Sequence, residues 1–194
     1  MPTRLDLLRA FPRSLERTVI PAIDSLGEDY WTSEETLDPI DIAGERIEIP
    51  RRIHGVDLEG AKTIAAKAKV VRACLLSRHH DGHVREAQVE TIFELVNEWS
   101  FPYLVQLTGA YVVSIHEAIL GRVETIPRSV IDTFAAENPK FVQKTKQRVI
   151  SYWVAYHRGS IALEDLAATK VIEAFGWWRS SDLPMRRQRQ KWRS

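Results

Sequence analysis

The residues best suited to chemistry lie in the segment RHHDGHVRE, residues 78–86, which holds three of the six histidines of this 194-residue chain. Imidazole nitrogens bind metal ions and transfer protons near neutral pH. His79, His80 and His83 are therefore candidate metal ligands, and two carboxylates lie beside them in the sequence. One hypothesis is that this cluster makes the protein a metal-dependent or acid/base enzyme.

The spacing of these residues argues against a preformed metal site. His79 and His83 are four residues apart, as are zinc ligands on one face of a helix. However, Gly82 and the helix cap expected at Asp81 put a helix boundary between them, so the two rings would not share a face. The HExxH pattern, the P-loop, the GxGxxG fingerprint and the GxSxG elbow are all missing from the sequence. We therefore expect no catalytic residue, metal or cofactor.

A second interpretation makes the same segment structural. Residues 81–87, DGHVREA, resemble the start of a HEAT or HEAT-like repeat, and residues 99–107, WSFPYLVQL, are similar to its turn and second helix. The resemblance covers about 40 residues, 81–120, with no second copy in register. It implies that Asp81 caps a helix and that Arg85 reaches back to a carboxylate or to carbonyl groups of the neighbouring hairpin. With these two residues we group Arg78 and Glu86 as structural or interaction residues.

The hydrophobic patterns predict an all-α fold of antiparallel helical hairpins, arranged as a HEAT-like or α-solenoid-like bundle. Helices are expected over 3–26 (in two pieces), 57–78, 84–98, 102–120, 127–136, 138–158 and 160–175. We expect Asp57 to cap one of these helices and Asn138-Pro139 to begin another as its cap and first residue. Tyr111 and Tyr156 continue the apolar spacing and are expected on buried stripes. The helix over 102–120 is apolar on most faces and should be the buried central one. Alternating isoleucines around Ala43-Gly44 predict a small β-hairpin over 40–49; an extended loop that pins the isoleucines to the helices is the alternative.

Charge divides the chain into a helical domain, 1–184, and a basic C-terminal tail, 185–194. The net charge is +1, with 27 Lys and Arg against 26 Asp and Glu. The tail has five cations and no acid, which leaves the body slightly acidic. The tail residues that could follow a phosphate backbone and stack on a base, or enter an acidic protein groove, are Arg186, Arg187, Arg189, Lys191, Trp192 and Arg193.

Composition also bounds the compartment. The single cysteine, Cys74, allows no disulfide within the chain, which favours a reducing environment. The N-terminus does not read as a signal peptide, and no apolar run is long enough for a membrane span. We therefore expect a cytoplasmic protein that does not contact membranes.

These observations favour a non-enzymatic module that binds another protein or a second copy of itself, within a pathway that the sequence does not reveal. The alternatives are a nucleic-acid-associated protein that uses the tail and an enzyme that uses residues 79–86. Deletion of residues 185–194 is expected to leave the fold intact and to weaken association with a partner.

Overall fold

In a computed structural model of the chain, the structure describes residues 7–33, 39–59 and 64–178, and these residues are mostly helical. The helical class predicted from the sequence is therefore confirmed, whereas the HEAT-like stacking stays a prediction. The basic tail, 185–194, and its boundary with the body lie outside the described residues. None of the described helices is long and apolar enough to cross a membrane.

The α-helices follow one another with short connections. They are α1 (Glu16–Asp24), α2 (Ala66–Leu76), α3 (Gly82–Glu86), α4 (Val89–Phe93), α5 (Phe101–Thr108), α6 (Val113–Leu120), α7 (Arg128–Glu137), α8 (Pro139–Tyr152) and α9 (Ala167–Ala174). Single 3₁₀ turns occur at Arg13–Leu15, Val123–Thr125 and Leu163–Asp165. A π-turn, Trp153–His157, directly continues α8.

Helix α5 is the centre of the fold. All eight of its residues are buried, and it packs against α6, α7, α8 and α9. Its apolar sequence, FPYLVQLT, explains why the helix can be enclosed on every side. The Tyr103 hydroxyl is satisfied there, because it donates to the Ala10 carbonyl at 2.8 Å.

The prediction of a single central helix over 102–120 is wrong, because the chain leaves the helical conformation between α5 and α6. Gly109 follows α5, and Val112 is extended, with ψ at 111°. Glycine is a poor helix former, and the Thr108 hydroxyl bonds back to the Leu104 carbonyl at 2.9 Å, which is typical of a helix that bends or ends. Of the apolar stripe predicted along this helix, Tyr111 alone lies on the surface, whereas Leu104, Leu107, Ile115 and Ile119 are buried.

Three other predicted helices differ from the structure. The helix expected from Asp57 begins only at Ala66, so Asp57 is not its cap. The helix expected over 84–98 is replaced by α3 and α4, which are five residues each. The helix expected from Ser160 begins with a 3₁₀ turn, and its regular part is α9. In each case one apolar periodicity runs through a turn, so it does not reveal the break.

The strands are short and form two small antiparallel sheets. Strand β1 (Trp31–Thr32) pairs with β4 (Ile53–His54), and β2 (Ile40–Ile42) pairs with β3 (Glu45–Ile47). The second pair confirms the predicted hairpin. Its two-residue turn has positive φ at both Ala43 and Gly44, as in type I′ turns, and glycine tolerates this conformation without strain. The isoleucines of the hairpin are buried in the main core.

Asn138 fastens the hairpin to the helices. Its amide oxygen accepts from the Asp41 backbone N–H at 2.8 Å, and its amide nitrogen donates to the Asp41 carbonyl at 2.9 Å. The same nitrogen also contacts the Phe134 carbonyl at 3.2 Å. Asn138 was expected to cap α8, but its side chain makes no such cap and instead pairs with β2 as a neighbouring strand would.

Candidate functional site

The segment from Arg78 to His80 is held like a third strand beside β4. The Ile53 N–H donates to the Arg78 carbonyl at 2.9 Å, and the His80 N–H donates to the Ile53 carbonyl at 3.2 Å. His79 forms a parallel bridge with Ile53. This pairing fixes the histidine-rich segment against β4 and β1, more than twenty residues earlier in the chain.

Because neighbouring strands are about 4.8 Å apart, this arrangement aligns aromatic rings across the strands. The Trp31 and His54 rings stack at 3.9 Å, and the His54 and His80 rings stack at 4.8 Å. His79 and His80 follow at 4.3 Å with a 37° tilt. Two of the histidines singled out from the sequence therefore belong to a ring column with Trp31 and His54, which sequence reasoning missed.

His79 is held in its neutral form. Its ring Nδ1 accepts a hydrogen bond from the Asp81 backbone N–H at 3.1 Å, so the ring hydrogen resides on Nε2. Burial lowers the pKa of His79, and the neighbouring His80 lowers it further. Within residues 7–33, 39–59 and 64–178, no group of three or more His, Cys, Asp or Glu side chains is arranged to hold a metal ion.

Asp81 occupies the N-cap of α3. Its carboxylate accepts from the His83 backbone N–H at 2.8 Å, and this hydrogen bond lowers the pKa of Asp81. The cap places His83 in the first turn of α3, where it is exposed, so it lies apart from the ring column. Glu86 ends α3 and is half-buried.

Arg78 is buried, and each of its three guanidinium nitrogens has a carbonyl partner. Its Nη2 donates to Arg51 at 2.7 Å, its Nε donates to Pro50 at 3.2 Å, and its Nη1 contacts the Ser77 carbonyl at 3.4 Å. Burial, together with the charges of Arg52 and Arg85, lowers the pKa of Arg78 to about 9. Every nitrogen of this guanidinium therefore has an acceptor, although none of these acceptors is a carboxylate.

Arg85 is only 1% exposed, yet it is only partly paired. Its Nη1 donates to the carbonyls of His79 and His80 at 2.9 and 2.8 Å. The HEAT resemblance implied a contact with a carboxylate or with carbonyls of the neighbouring hairpin, whereas these two carbonyls lie in the segment directly before α3. Its Nε and Nη2 are buried without a hydrogen-bond partner among the described residues. One edge of the guanidinium is thus left with two unused donors.

Four arginines lie around this point: Arg52, Arg78, Arg85 and Arg148, which we call the arginine cluster. The charges of Arg52, Arg85 and Arg148 each act on Arg78, and the charge of Arg85 acts on Arg52. Ion pairs seen elsewhere in the described residues, such as Arg122 with Glu90, do not involve the cluster. Arg148 instead donates to the buried Gln106 side chain at 3.0 Å. The cluster is therefore positive and uncompensated within the described part of the chain.

A row of three tyrosines adjoins the cluster: Tyr111, Tyr152 and Tyr156, which we call the tyrosine row. Their rings are separated by 6.1 Å and 6.3 Å in order. Tyr111 is 52% exposed and Tyr156 is 66% exposed. The guanidinium carbon of Arg85 lies 5.8 Å from the centre of the Tyr111 ring. The row therefore links the buried cluster to the surface of the π-turn.

The charge pattern of the sequence indicates this surface, although the apolar spacing does not. Residues 138–163 contain five Lys or Arg residues and no Asp or Glu. The tyrosines at 111 and 156 were assigned to buried stripes because they continue the apolar spacing. Exposed aromatics in an acid-free segment are instead typical of a binding surface.

His116 is a buried polar residue beneath the turn between α5 and α6 that carries Tyr111. The backbone of Leu107, Thr108 and Ala110 faces its ring, but neither ring nitrogen makes a well-formed hydrogen bond with any residue that the structure describes. Burial lowers the pKa of His116 to about 4. The ring is therefore neutral at pH 7, and it fills the space under residues 109–112.

Comparison with known proteins adds no assignment to this geometry. No protein-family model, curated protein or solved structure matches the chain.

Proposed function

We propose that this protein is a non-enzymatic interaction module that binds an acidic segment of another protein across the tyrosine row. The observation that carries the proposal is the exposure of Tyr111 and Tyr156 beside an arginine cluster that has no acidic partner among the described residues. Tyrosine and arginine are enriched in the anchoring residues of protein interfaces.

The local structure supports a binding role for this surface. The π-turn that carries Tyr156 is a rare feature that frequently occurs at functional sites. Tyr156 is the most exposed large hydrophobic side chain in the described part of the chain. Val154, in the same turn, adds an exposed aliphatic side chain. A partner that covered these groups would remove apolar area from water.

Charge complementarity selects the kind of partner. The segment that forms α8 and the π-turn is basic and free of acid, so it attracts Asp and Glu side chains. The resemblance of residues 81–107 to a HEAT unit agrees with this role, because arrays of such repeats present extended surfaces to other proteins. The expected partner is a chain segment with several acidic residues around one apolar anchor.

Selection from a random peptide-display library on the full-length protein tests the proposal. We expect the enriched peptides to be rich in Asp and Glu and to bind at least about tenfold more weakly to Tyr156→Ser. Leu58→Ala is the matched control, because Leu58 is exposed and apolar but lies in a different segment. Equal enrichment on Tyr156→Ser and on the unchanged protein would contradict the proposal.

Nucleic acid is the competing ligand, and fluorescence anisotropy distinguishes it. Single- and double-stranded oligonucleotides are titrated at low and moderate salt into the full-length chain and into a chain ending at residue 184. We expect only weak binding that disappears at physiological salt. Micromolar binding at physiological salt would replace the proposed protein partner with nucleic acid.

A further inference from the structure

The unused edge of Arg85 is the least explained polar feature of the described residues. Its Nε and Nη2 are buried donors that find no acceptor within residues 7–33, 39–59 and 64–178. A buried guanidinium is unfavourable unless its N–H groups and its charge are compensated. Arg78, which belongs to the same cluster, has a carbonyl acceptor for each of its nitrogens. The difference marks Arg85 as a residue with capacity left for a ligand.

The free edge has a definite geometry. The Nε–H and one Nη2–H of a guanidinium point in parallel, and a planar carboxylate accepts both at once. The residue beside this edge is a glycine. A methyl group placed on Gly82 would lie 3.6 Å from Nη2 and 3.2 Å from a Val112 methyl group, so a side chain at residue 82 would crowd both Val112 and the edge. Tyr111 covers the guanidinium from the exposed turn between α5 and α6.

We infer that Arg85 and Arg52, covered by Tyr111, form a receptor for a carboxylate group. This inference rests on the proposed function, because the carboxylate would come from the acidic segment that crosses the tyrosine row. The charge of Arg85 acts on Arg52, and Tyr111 and Tyr152 both lie near Arg52. A carboxylate enters when Tyr111 swings aside and then accepts two hydrogen bonds from Arg85, with Arg52 providing a second positive charge.

The steric argument favours a carboxylate over a phosphate. Gly82 lies close to Nη2 and to the Val112 side chain, so the space beside this part of the edge is narrow. A planar two-oxygen group fills such a space, whereas a tetrahedral phosphate needs room on both sides of the guanidinium plane. Both groups bind arginine well, so the experiment compares them directly.

Titration of the ¹⁵N-labelled full-length protein with acetate, at constant ionic strength set by chloride, tests the inference. The Nε–H signal that disappears in Arg85→Lys is expected to shift saturably with acetate. Arg52→Gln is expected to raise the acetate dissociation constant about tenfold. This factor corresponds to the loss of one charge-assisted contact. Gly82→Ala is expected to raise the acetate dissociation constant by a similar factor, because the methyl group of the alanine would crowd the free edge of Arg85. Arg122→Gln, at an exposed ion pair, is the control and should change nothing.

Each outcome decides the inference. The inference would be overturned if acetate caused no shift in the unchanged protein. It would also be overturned if Arg52→Gln and Gly82→Ala responded to acetate as the unchanged protein does. A larger shift with inorganic phosphate than with acetate would overturn the carboxylate assignment. If Arg85→Lys fails to fold, the other two variants still carry the test. Selected peptides that bind and depend on Tyr156, in a protein that does not respond to acetate, would contradict the receptor and leave the proposed function intact.

Discussion

Asn138 and Arg85 perform the same mechanical task in two regions of the molecule, and they differ in how completely their polar groups are used. Each side chain joins separate segments through backbone groups: Asn138 holds β2, and Arg85 holds the carbonyls of His79 and His80. Asn138 uses both its oxygen and its nitrogen, whereas Arg85 uses one of its three nitrogens. A buried polar group that only supports the fold tends to be fully paired, so the difference separates a structural contact from a candidate site.

The same contrast extends to the surroundings of the two residues. Near Asn138 the core consists of stacked and edge-on aromatic rings, including Phe134 with Phe101 and Phe141. Near Arg85 the neighbours are arginines, histidines and an exposed tyrosine. One region is therefore organised for packing, and the other keeps charge and unused donors close to the surface.

The largest expected effect tests the limits of the packed region. Val105→Asp should abolish soluble expression, because α5 is enclosed on all sides and would bury an unpaired carboxylate. Val112→Asp should remain soluble, because Val112 is half-buried in the turn after α5. Soluble yield and a thermal melt of each variant measure the difference. If both variants were lost, residues 109–112 would be as tightly packed as α5.

The second prediction compares Arg78, whose three nitrogens all have acceptors, with Arg85, which uses only one nitrogen. Arg78→Met should lower the free energy of unfolding by about 4 kcal/mol, because the carbonyls of Pro50 and Arg51 lose a buried donor. Arg85→Met should cost only about 1 kcal/mol, because the two lost hydrogen bonds are offset by removal of two buried donors that have no acceptor among the described residues. Urea denaturation measures both values. Equal costs would remove the contrast on which the carboxylate receptor depends.

The third prediction concerns pH and uses His116, which lies beneath the turn that carries Tyr111. A histidine whose pKa is lower in the folded state stabilises the fold above its unfolded pKa of about 6.5, and that contribution is lost as the pH falls. With the folded pKa at about 4, the free energy of unfolding should drop by roughly 3 kcal/mol between pH 7 and pH 4. Burial shifts the pKa of His54 and His79 in the same direction.

Urea denaturation at pH 7, 5.5 and 4 measures this loss, and His116→Phe isolates the share of one residue. The groups that face the ring are the backbone of Leu107, Thr108 and Ala110 and the side chain of His157. The variant should lose less stability on acidification than the unchanged protein does. His83→Ala, at an exposed ring, is the control and should follow the unchanged protein. Identical pH profiles for all three proteins would mean that His116 is solvated in the folded state.

The smallest expected effect belongs to the helix cap at the edge of the charged region. Asp81→Ala should cost about 1 kcal/mol, because the His83 N–H loses its acceptor at the start of α3. His80→Ala should cost less than about 0.5 kcal/mol, since His80 is exposed and contributes mainly ring stacking. Thermal melts resolve the two. A larger loss for His80→Ala would show that the ring column supports the fold.

Local sequence signals predicted the parts of the fold whose causes are local. Alternating isoleucines around Ala43-Gly44 predicted the hairpin, because the turn chemistry and the alternation act within a few residues. The dipeptide Asn138-Pro139 correctly placed the start of α8. The break after Thr108 was missed because the apolar spacing continues through it, and spacing records burial rather than hydrogen bonding.

The candidate site was predictable only in part, for a similar reason. The spacing of Asp81 and Arg85 is a local pattern, and it predicted the cap that Asp81 forms. The carbonyls that Arg85 contacts lie in the preceding segment, not in a neighbouring hairpin as the resemblance to a repeat unit implied. The stacking of His80 on His54 depends on a strand pairing between distant segments, which no local pattern encodes. The exposure of Tyr156 depends on the π-turn, which apolar periodicity does not distinguish from a regular helical turn.

The π-turn also sets the angular position of everything that follows it. An α-helix rotates by about 100° per residue, so the extra residue in a wide turn changes the direction in which the chain leaves the helix. Leu163 and Leu166, which follow it, pack in a small separate core with Val149 of α8. Removal of one residue from the turn would require the chain either to turn Tyr156 toward a different side of the helix or to withdraw these leucines from their core. The length of the π-turn therefore determines both the position of the binding surface and the packing of the C-terminal segment, and a change of one residue would alter one or the other.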